Sequence, residues 1–221
     1  AMNLAARAWL FDFDGTLVDS GPLHDWAFRH VLATAAPEIL AGFDYESIKG
    51  LTTRRSFVSL GIDDGPTLAW CVAAKQRLYR EALRAGRLHA YPGARQMLEM
   101  VRAHHAESYV VSSGSADSVR LGLDSCDLRE FFAGIITAED APAGKPAPAP
   151  YLACLCRFAL EAESAIAIED AAAGVRSAHA AGLPVIGVHN AAIAAAADRY
   201  FPDFAAMSAA LDGVGDTIGF A

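Results

Sequence analysis

The 221-residue chain is 53% hydrophobic and 20% charged, a composition that can bury a substantial core and excludes an intrinsically disordered chain. Its formal net charge of -8 excludes the broad cationic surface of a nucleic-acid-binding protein, although a local positive pocket could still hold a small phosphorylated ligand. Four cysteines are too few for a disulfide scaffold. Because no apolar run is long enough to span a membrane and the opening segment lacks the features of a secretion signal, we expect no membrane partner and a cytoplasmic protein.

The first predicted element is a short buried strand at residues 8–13, which ends in an Asp-Gly turn. Helical patterns without a convincing strand follow at residues 23–35, 53–60 and 67–85. Beyond the Pro-Gly pair at residues 92–93, helices and strands alternate. The predicted helices cover residues 94–105, 115–124, 149–160 and 172–181, and the predicted strands cover residues 108–111, 132–137, 165–168 and 184–188. We interpret the alanine-rich segments at 191–197 and 205–210 as terminal packing.

This order of elements predicts an α/β protein with a Rossmann-like, doubly wound parallel sheet, because alternating strands and helices with short connections are typical of that architecture. The helical region interrupts the alternation, so we expect an all-helical domain inserted after the first strand. The expected boundaries are 1–18 and 88–221 for the core domain and 19–87 for the inserted helical domain.

Polar residues that could take part in catalysis or ligand binding lie where the predicted strands end. Asp12 and Asp14 lie at the end of the first strand, Ser112 follows the second, and Glu169 and Asp170 follow the strand at 165–168. Ligands of open parallel sheets bind at the carboxyl ends of the strands, where the chain order reverses. The sequence therefore predicts a site that gathers these residues.

Asp12 and Asp14 are two residues apart on an extended segment, so their carboxylates can project from one face and repel each other. Such a pair is stable when a cation lies between the groups or when one of them is protonated. A metal-bound Asp12 would be a nucleophile, and an Asp14 with a raised pKa would be a general acid. The segment by itself is equally typical of a β-hairpin with a tight Asp-Gly turn.

Glu169 and Asp170 could join Asp12 in an octahedral oxygen site of the kind that Mg²⁺ prefers, although an acidic pair before a helix is also an ordinary helix cap. Lys145 stands among prolines in GKPAPAPY, where its ammonium could pair with Asp12, although most loop lysines are simply solvated. Ser112, with the backbone N–H groups of Ser113 and Gly114, could bind a phosphate at the start of a helix or serve only as a helix cap.

Together, and in this order, these motifs resemble the haloacid dehalogenase superfamily of phosphotransferases across nearly the whole chain. The DxDGT[LV] motif corresponds to residues 12–17, the Ser or Thr after an apolar strand to Ser112, the Lys of G-K-P-x-P to Lys145, and the acidic pair to Glu169 and Asp170. The inserted helices resemble the cap of the β-phosphoglucomutase-like branch. One departure is Ala171, where many relatives have Ser.

The resemblance implies that Asp12 attacks phosphorus to give an aspartyl-phosphate, while Asp14 protonates the leaving group and then deprotonates water. It implies a Mg²⁺ cofactor held by the Asp12 carboxylate, the Asp14 backbone carbonyl, Asp170 and Glu169. Lys145 and Ser112 would hold the phosphoryl oxygens. The cap would close over the site and exclude bulk water.

Three cap residues are candidate substrate ligands by similarity of position, together with Ser113 and Gly114 of the core. His24 lies near the entry to the cap, Arg54 belongs to the loop at 49–54, which resembles the substrate-facing cap loop of the family, and Lys75 lies on a cap helix where mutase relatives have a lysine. Each has an ordinary alternative as a surface or capping side chain.

The function predicted in this way is hydrolysis of a small phosphorylated metabolite, such as a sugar phosphate, by a monomer or weak dimer. A phosphomutase is the alternative, which His24 and Lys75 favour and Thr16 disfavours. Asp14 disfavours a haloacid dehalogenase, since such relatives lack the second acid. A phosphonatase would need a cap lysine that forms a Schiff base, and Lys49 is the only plausible candidate. The intact motifs disfavour an inactive binding protein, which would not need them.

Overall fold

The computed structural model describes residues 6–212, and within them the chain forms one sheet in which every strand pairs in parallel with its neighbours. The strand order is β3-β2-β1-β4-β5-β6. The strands are β1 (Ala8–Phe11), β2 (Glu107–Val111), β3 (Phe132–Ile136), β4 (Ala165–Glu169), β5 (Val185–Val188) and β6 (Arg199–Phe201). The predicted parallel sheet is confirmed.

Helices cover both faces of this sheet. Along β1, Trp9 and Phe11 point into one hydrophobic cluster, whereas Ala8 and Leu10 point into another. The first cluster contains buried residues of α5 (Ala94–Ala103), α6 (Ala116–Ser125) and α9 (Phe204–Asp212), and the second contains those of α7 (Ala149–Arg157) and α8 (Ala172–Ala180). Helices on both faces confirm the doubly wound architecture.

The helices between β1 and α5 have a hydrophobic cluster of their own. It is built around Phe28, Leu32, Phe57 and Leu68, all nearly or fully buried. The elements are α1 (Gly21–Ala35), α2 (Pro37–Leu40), α3 (Thr53–Ser59) and α4 (Gly65–Arg84), with a short 3-10 turn at Tyr45–Ile48. This separate cluster confirms an inserted helical cap.

The cap helices begin where the sequence supplies a cap or a proline. The Asp64 side chain accepts a hydrogen bond from the Thr67 backbone N–H at the start of α4, and the Thr52 hydroxyl accepts one from Arg55 at the start of α3. Pro22 occupies the first turn of α1, where its missing N–H costs nothing. These local signals explain why the predicted long helices are present.

β1 is central to the sheet, and the Asp-Gly turn after it does not make a hairpin. From β1 the chain proceeds through β2 and β3 on one side and through β4, β5 and β6 on the other. The turn instead returns the backbone only as far as Val18, which makes isolated bridges to Asp14 and Ala90. The carboxyl end of β1 therefore lies at the point where the strand order reverses, which is where a ligand site is expected.

β6 and α2 were not predicted. β6 has three residues, begins with the exposed Arg199 and lies at the sheet edge, so it has no apolar run that could be recognised. α2 is a single turn without a buried residue. The terminal packing expected for residues 205–210 is seen at Met207 of α9, which is completely buried, whereas most of residues 191–197 are exposed.

No helix within residues 6–212 combines the length and the apolar character that a membrane crossing would require.

Candidate active site

Lys145 ties three distant segments of the core together. Its buried Nζ donates hydrogen bonds to Asp12 Oδ1 at 2.6 Å, to Glu169 Oε1 at 2.6 Å and to the Val111 carbonyl at 2.8 Å. Burial by itself would lower the pKa of Lys145, but the negative charges of Asp12 and Glu169 outweigh it and raise the pKa above its usual value. Lys145 is therefore a fixed cation beneath the carboxyl ends of β1, β2 and β4.

Three buried carboxylates surround this ammonium. Asp12, Glu169 and Asp170 each present an oxygen, and the three oxygens lie within 4.8 Å of one another. Burial, and then the neighbouring acids, raise the pKa of Asp12 well above its usual value in spite of Lys145. Burial and Glu169 likewise raise the pKa of Asp170 to about 6. The charge of Lys145 by itself therefore does not balance the charges of the three acids. A hard divalent cation bound beside them would supply the missing positive charge.

The acidic pair is held by side chains from other segments. The Tyr151 hydroxyl donates to Glu169 Oε1 at 2.6 Å, and the Thr16 hydroxyl donates to Asp170 Oδ1 at 3.3 Å. The Asn190 amide donates to the Asp170 backbone carbonyl at 2.9 Å. These contacts restrict the orientation of both carboxylates. Neither Tyr151 nor Asn190 was predicted, because nothing in their local sequence indicates that they face the acidic pair.

Two glycines make room for the acids. Gly15 has a φ of 87°, and a Cβ there would lie 2.3 Å from Asp170 Oδ2. A Cβ on Gly174 would lie 2.0 Å from the carboxylate carbon of Glu169. Both positions therefore require glycine if Glu169 and Asp170 are to reach Asp12.

The loop after β2 lies on the other side of Asp12. The Gly114 N–H donates to the Ser112 hydroxyl oxygen at 2.9 Å, which leaves the hydroxyl proton of Ser112 able to donate to an anion. Ser113 and Gly114 line the larger of two cavities between the sheet edge and the cap. A Cβ on Gly114 would lie 3.5 Å from Asp14 Oδ2. The Gly114 N–H, predicted as a phosphate donor, is therefore engaged by Ser112.

Asp14 faces the cap instead of joining the acidic cluster. Its Oδ1 accepts hydrogen bonds from His24 Nε2 at 3.1 Å and from the Tyr79 hydroxyl at 3.2 Å. Burial acts to raise the pKa of Asp14, but His24 and the more distant Lys75 lower it to about 2. The prediction of a raised pKa for Asp14 is therefore wrong, because the sequence did not show which donors the cap brings to this carboxylate.

His24 is connected in turn to Lys75, whose Nζ lies 2.7 Å from His24 Nδ1. An ammonium can only donate, so Nδ1 accepts, and Nε2 carries the proton that is donated to Asp14. Burial and the Lys75 charge lower the pKa of His24, which is consistent with this neutral tautomer. Burial lowers the pKa of Lys75 to about 8, and its Nζ lies 4.8 Å from the centre of the Tyr79 ring. His24 and Lys75, both predicted as substrate ligands, thus lie beside Asp14.

Lys49 and Arg54, two basic residues of the cap, line different cavities. Lys49 Nζ is 3.3 Å from Asp170 Oδ2, so the cap loop reaches the acidic cluster directly. Arg54 lines a smaller cavity of about 180 Å³ with Asp14 and Lys75, and it is not part of the lining of the larger one. Tyr79 could have been found from sequence, because it lies four residues after Lys75 and thus on the same helix face.

The larger cavity, about 570 Å³, lies between the sheet edge and the cap. Its walls include all three clustered acids, Lys145 and Asp14 from the core, and His24, Tyr45, Lys49 and Lys75 from the cap. It could hold a small phosphorylated molecule with the phosphate beside Asp12.

A match over residues 9–188 shows that the chain belongs to the haloacid dehalogenase-like hydrolase family, which confirms the resemblance drawn from its motifs. The chain is therefore a hydrolase of that family. It is 33% identical over 198 residues to hexitol phosphatase A of Escherichia coli K12, covering 84% of each chain. It is 28% identical to the phosphoglycolate phosphatase of Rhodospirillum rubrum, covering 97% of this chain and 91% of that one.

Solved structures show the same fold. The crystal structure of CbbY from Rhodobacter sphaeroides in complex with phosphate has a TM-score of 0.81 and 25% identity, covering 94% of this chain and 99% of that one. β-Phosphoglucomutase from Clostridium difficile has a TM-score of 0.78 at 20% identity, covering 90% of this chain and 92% of that one, which is evidence of fold alone.

The lowered pKa of Lys75 gives a pH-dependent prediction. Between about pH 8, the folded pKa, and pH 10.5, the usual value, the unfolded chain holds a proton that the folded chain has lost. The contribution of Lys75 to stability therefore rises with pH in this window. We expect the unfolding free energy of the wild type minus that of Lys75→Met to increase by about 3 kcal/mol across it, as measured by urea unfolding. The neighbouring Gln76→Met variant should show no such pH dependence, and a constant difference for Lys75→Met would contradict the prediction.

Proposed function

We propose that this protein is a Mg²⁺-dependent phosphatase that hydrolyses a small phosphomonoester through an aspartyl-phosphate on Asp12. The observation that carries the proposal is the contact of Lys145 with both Asp12 and Glu169 at 2.6 Å, which joins three motifs far apart in sequence into one site. A fixed ammonium beside a carboxylate nucleophile stabilises the charge that develops on phosphoryl oxygens during transfer.

In the first step the Asp12 carboxylate attacks phosphorus, and the bond between phosphorus and the leaving oxygen breaks. That oxygen takes a proton from Asp14. Because the pKa of Asp14 is about 2, the acid must first receive this proton. His24 Nε2, at 3.1 Å, donates it while His24 Nδ1 takes a proton from Lys75 at 2.7 Å, so the imidazole stays neutral and Lys75 is left as the amine. The Ser112 hydroxyl holds a phosphoryl oxygen. The Lys145 ammonium, whose three hydrogens are donated to Asp12, Glu169 and Val111, stabilises the phosphoryl group through its charge.

In the second step water attacks the phosphorus of the aspartyl-phosphate. Asp14, now ionised, takes a proton from this water as the bond between phosphorus and Asp12 breaks, which releases inorganic phosphate and regenerates the Asp12 carboxylate. The low pKa of Asp14 keeps the group ionised in the resting site, which suits this base role.

The residues present fit a magnesium ion. Asp12, Glu169 and Asp170 supply only oxygen atoms, and when all three are ionised their charge of -3 exceeds the combined +2 of Lys145 and Lys49. The Asp14 backbone carbonyl would be a further ligand. When bound, Mg²⁺ would reduce the repulsion between the anionic nucleophile and the anionic phosphate.

The substrate class that we propose is a sugar phosphate or a similar metabolite. Relatives named for such activities include hexitol phosphatase A and a fructose-1-phosphate phosphatase of Escherichia coli, the latter 26% identical over 186 residues. The large cavity between cap and core supports the same class, because its cap side offers hydroxyl, imidazole and ammonium groups from Tyr45, His24 and Lys75.

Replacing the nucleophile tests the mechanism. We expect Asp12→Asn to lower the turnover of p-nitrophenyl phosphate by at least about 10³-fold, because an amide cannot form the acyl-phosphate. Circular dichroism should show an intact fold. The matched control is Asp63→Asn, an exposed acid of the cap, which should turn over at the wild-type rate. Activity retained by Asp12→Asn would contradict the mechanism.

Magnesium binding can be measured apart from activity. We expect Mg²⁺ at about a hundred times its dissociation constant to stabilise the wild type against urea by roughly 2.7 kcal/mol. Asp170→Asn should lose most of this stabilisation. Asp14→Asn should keep it, because the Asp14 side chain is bonded to His24 and Tyr79 in the cap. Equal stabilisation of the wild type and Asp170→Asn would refute the proposed ligand set.

A phosphomutase is the second candidate, favoured by the hydrogen-bonded series Lys75–His24–Asp14, which could equally serve a sugar hydroxyl that accepts the phosphoryl group. The Thr16 hydroxyl donates to Asp170, so Thr16 would orient a ligand of the proposed magnesium ion. With glucose 1-phosphate as the probe, we expect free phosphate to accumulate. Accumulation of glucose 6-phosphate without free phosphate would establish the mutase instead.

A further inference from the structure

The smaller cavity lies beside Asp14 and opens between cap and core. It measures about 180 Å³ and shares Asp14, Ser113 and Gly114 with the larger cavity. Asp14 is the proposed proton donor to the leaving group, so a leaving group must extend past it. The remaining lining of the smaller cavity therefore bears on the end of the substrate that is far from the phosphate.

Glu139, from the loop after β3, forms one wall of this cavity. Its Oε2 accepts a hydrogen bond from the Ala116 N–H at 3.0 Å and another at 2.9 Å from the Thr137 hydroxyl, whose proton is shared with Asp140 Oδ2 at 2.8 Å. Both bonds use the same oxygen, and Oε1 accepts none from the residues that the structure describes. Glu139 is exposed, so this second oxygen remains available to a ligand.

Ala116 is the first residue of α6, and N–H groups at the start of a helix ordinarily attract anions. Here the carboxylate of Glu139 already accepts that N–H. A second phosphate or carboxylate on the substrate could not use this donor, and it would also meet the charges of Glu139 and Asp14 within a small cavity.

The polar groups on the cap side of the cavity include Arg54, Gln76 and Lys75. The Lys75 ammonium donates to His24 at 2.7 Å and its charge acts on Asp14, so the charge of Glu139 is set against that of Arg54. Within the described part of the chain Arg54 has no hydrogen-bond or ion-pair partner. One free guanidinium, one amide and one half-engaged carboxylate both donate and accept hydrogen bonds. That combination suits hydroxyl groups, which also do both.

We infer that Glu139 is a specificity-determining residue that makes the enzyme select a neutral, hydroxylated leaving group and reject one with a second anionic group. The inference rests on the proposed phosphatase function. In this arrangement Glu139 Oε1 accepts a hydrogen bond from a hydroxyl at the distal end of the substrate, and Arg54 donates to the same end.

Two substrates that differ only at that end provide the test. Sorbitol 6-phosphate ends in a neutral hydroxymethyl group, and 6-phosphogluconate has a carboxylate at the same position. We expect the wild type to favour the neutral substrate in kcat/KM by at least about tenfold. Glu139→Gln keeps an oxygen that can accept from Ala116 and Thr137 but loses the charge, so its preference should fall by about tenfold.

Two further variants sharpen the test. Arg54→Gln removes a cation that has no ion-pair partner among residues 6–212, and it should widen the preference for the neutral substrate. Glu163 lies before β4, at the opposite end of the sheet from the site. The Glu163→Gln variant should therefore have the kcat/KM of the wild type on both substrates. A preference that is the same in the wild type and Glu139→Gln would overturn the inference, as would a wild type that favours 6-phosphogluconate.

Hydrolysis of p-nitrophenyl phosphate distinguishes a failure of the inference about Glu139 from a failure of the proposed phosphatase function. If the wild type hydrolyses it with Mg²⁺ but neither hexose derivative, the inference about Glu139 is wrong and the phosphatase function stands. If no phosphomonoester is hydrolysed, the proposed function fails and the inference fails with it.

Discussion

The structure depends on one buried ammonium placed among three carboxylates. Asp12, Glu169 and Asp170 come from the ends of two neighbouring strands, and without a cation their mutual repulsion in a buried site would be severe. Lys145 offsets part of that charge and donates a third hydrogen bond to the Val111 carbonyl of β2. The remaining negative charge would favour a divalent cation, so the charge that requires Lys145 in the fold also underlies the proposed magnesium site.

The second organising contact joins the core to the cap. Asp14 belongs to the same short loop as Asp12, yet its carboxylate accepts from His24 and Tyr79 of the cap. Two carboxylates two residues apart are thereby placed in opposite electrostatic surroundings: the pKa of Asp12 is raised, and that of Asp14 is lowered to about 2. Such a division between neighbouring acids is characteristic of sites in which one acts on the substrate and the other moves a proton.

The cap also connects to the core through Lys49 and Asp170, which lie 3.3 Å apart. Cap side chains therefore reach both the acidic cluster and Asp14, on the two sides of the proposed phosphate position. Under the proposed function the leaving group would occupy the space between these contacts, and Glu139 and Arg54 line the smaller cavity beside it. Family membership defines the reaction class, whereas we propose that these two residues influence which phosphoester is accepted.

The sequence by itself determined the doubly wound sheet, the inserted helices and the set of strand-end residues around Asp12. It could do so because apolar periodicity is local, and because the carboxyl ends of adjacent parallel strands share one edge. It could not reveal the short edge strand β6, whose residues have no apolar run. Only the tertiary structure decided that Tyr151 holds Glu169, that His24 and Tyr79 lower the pKa of Asp14, and that Glu139 occupies the start of α6. Each of these depends on which side chains approach from segments far apart in the chain, and local sequence patterns do not encode such distances.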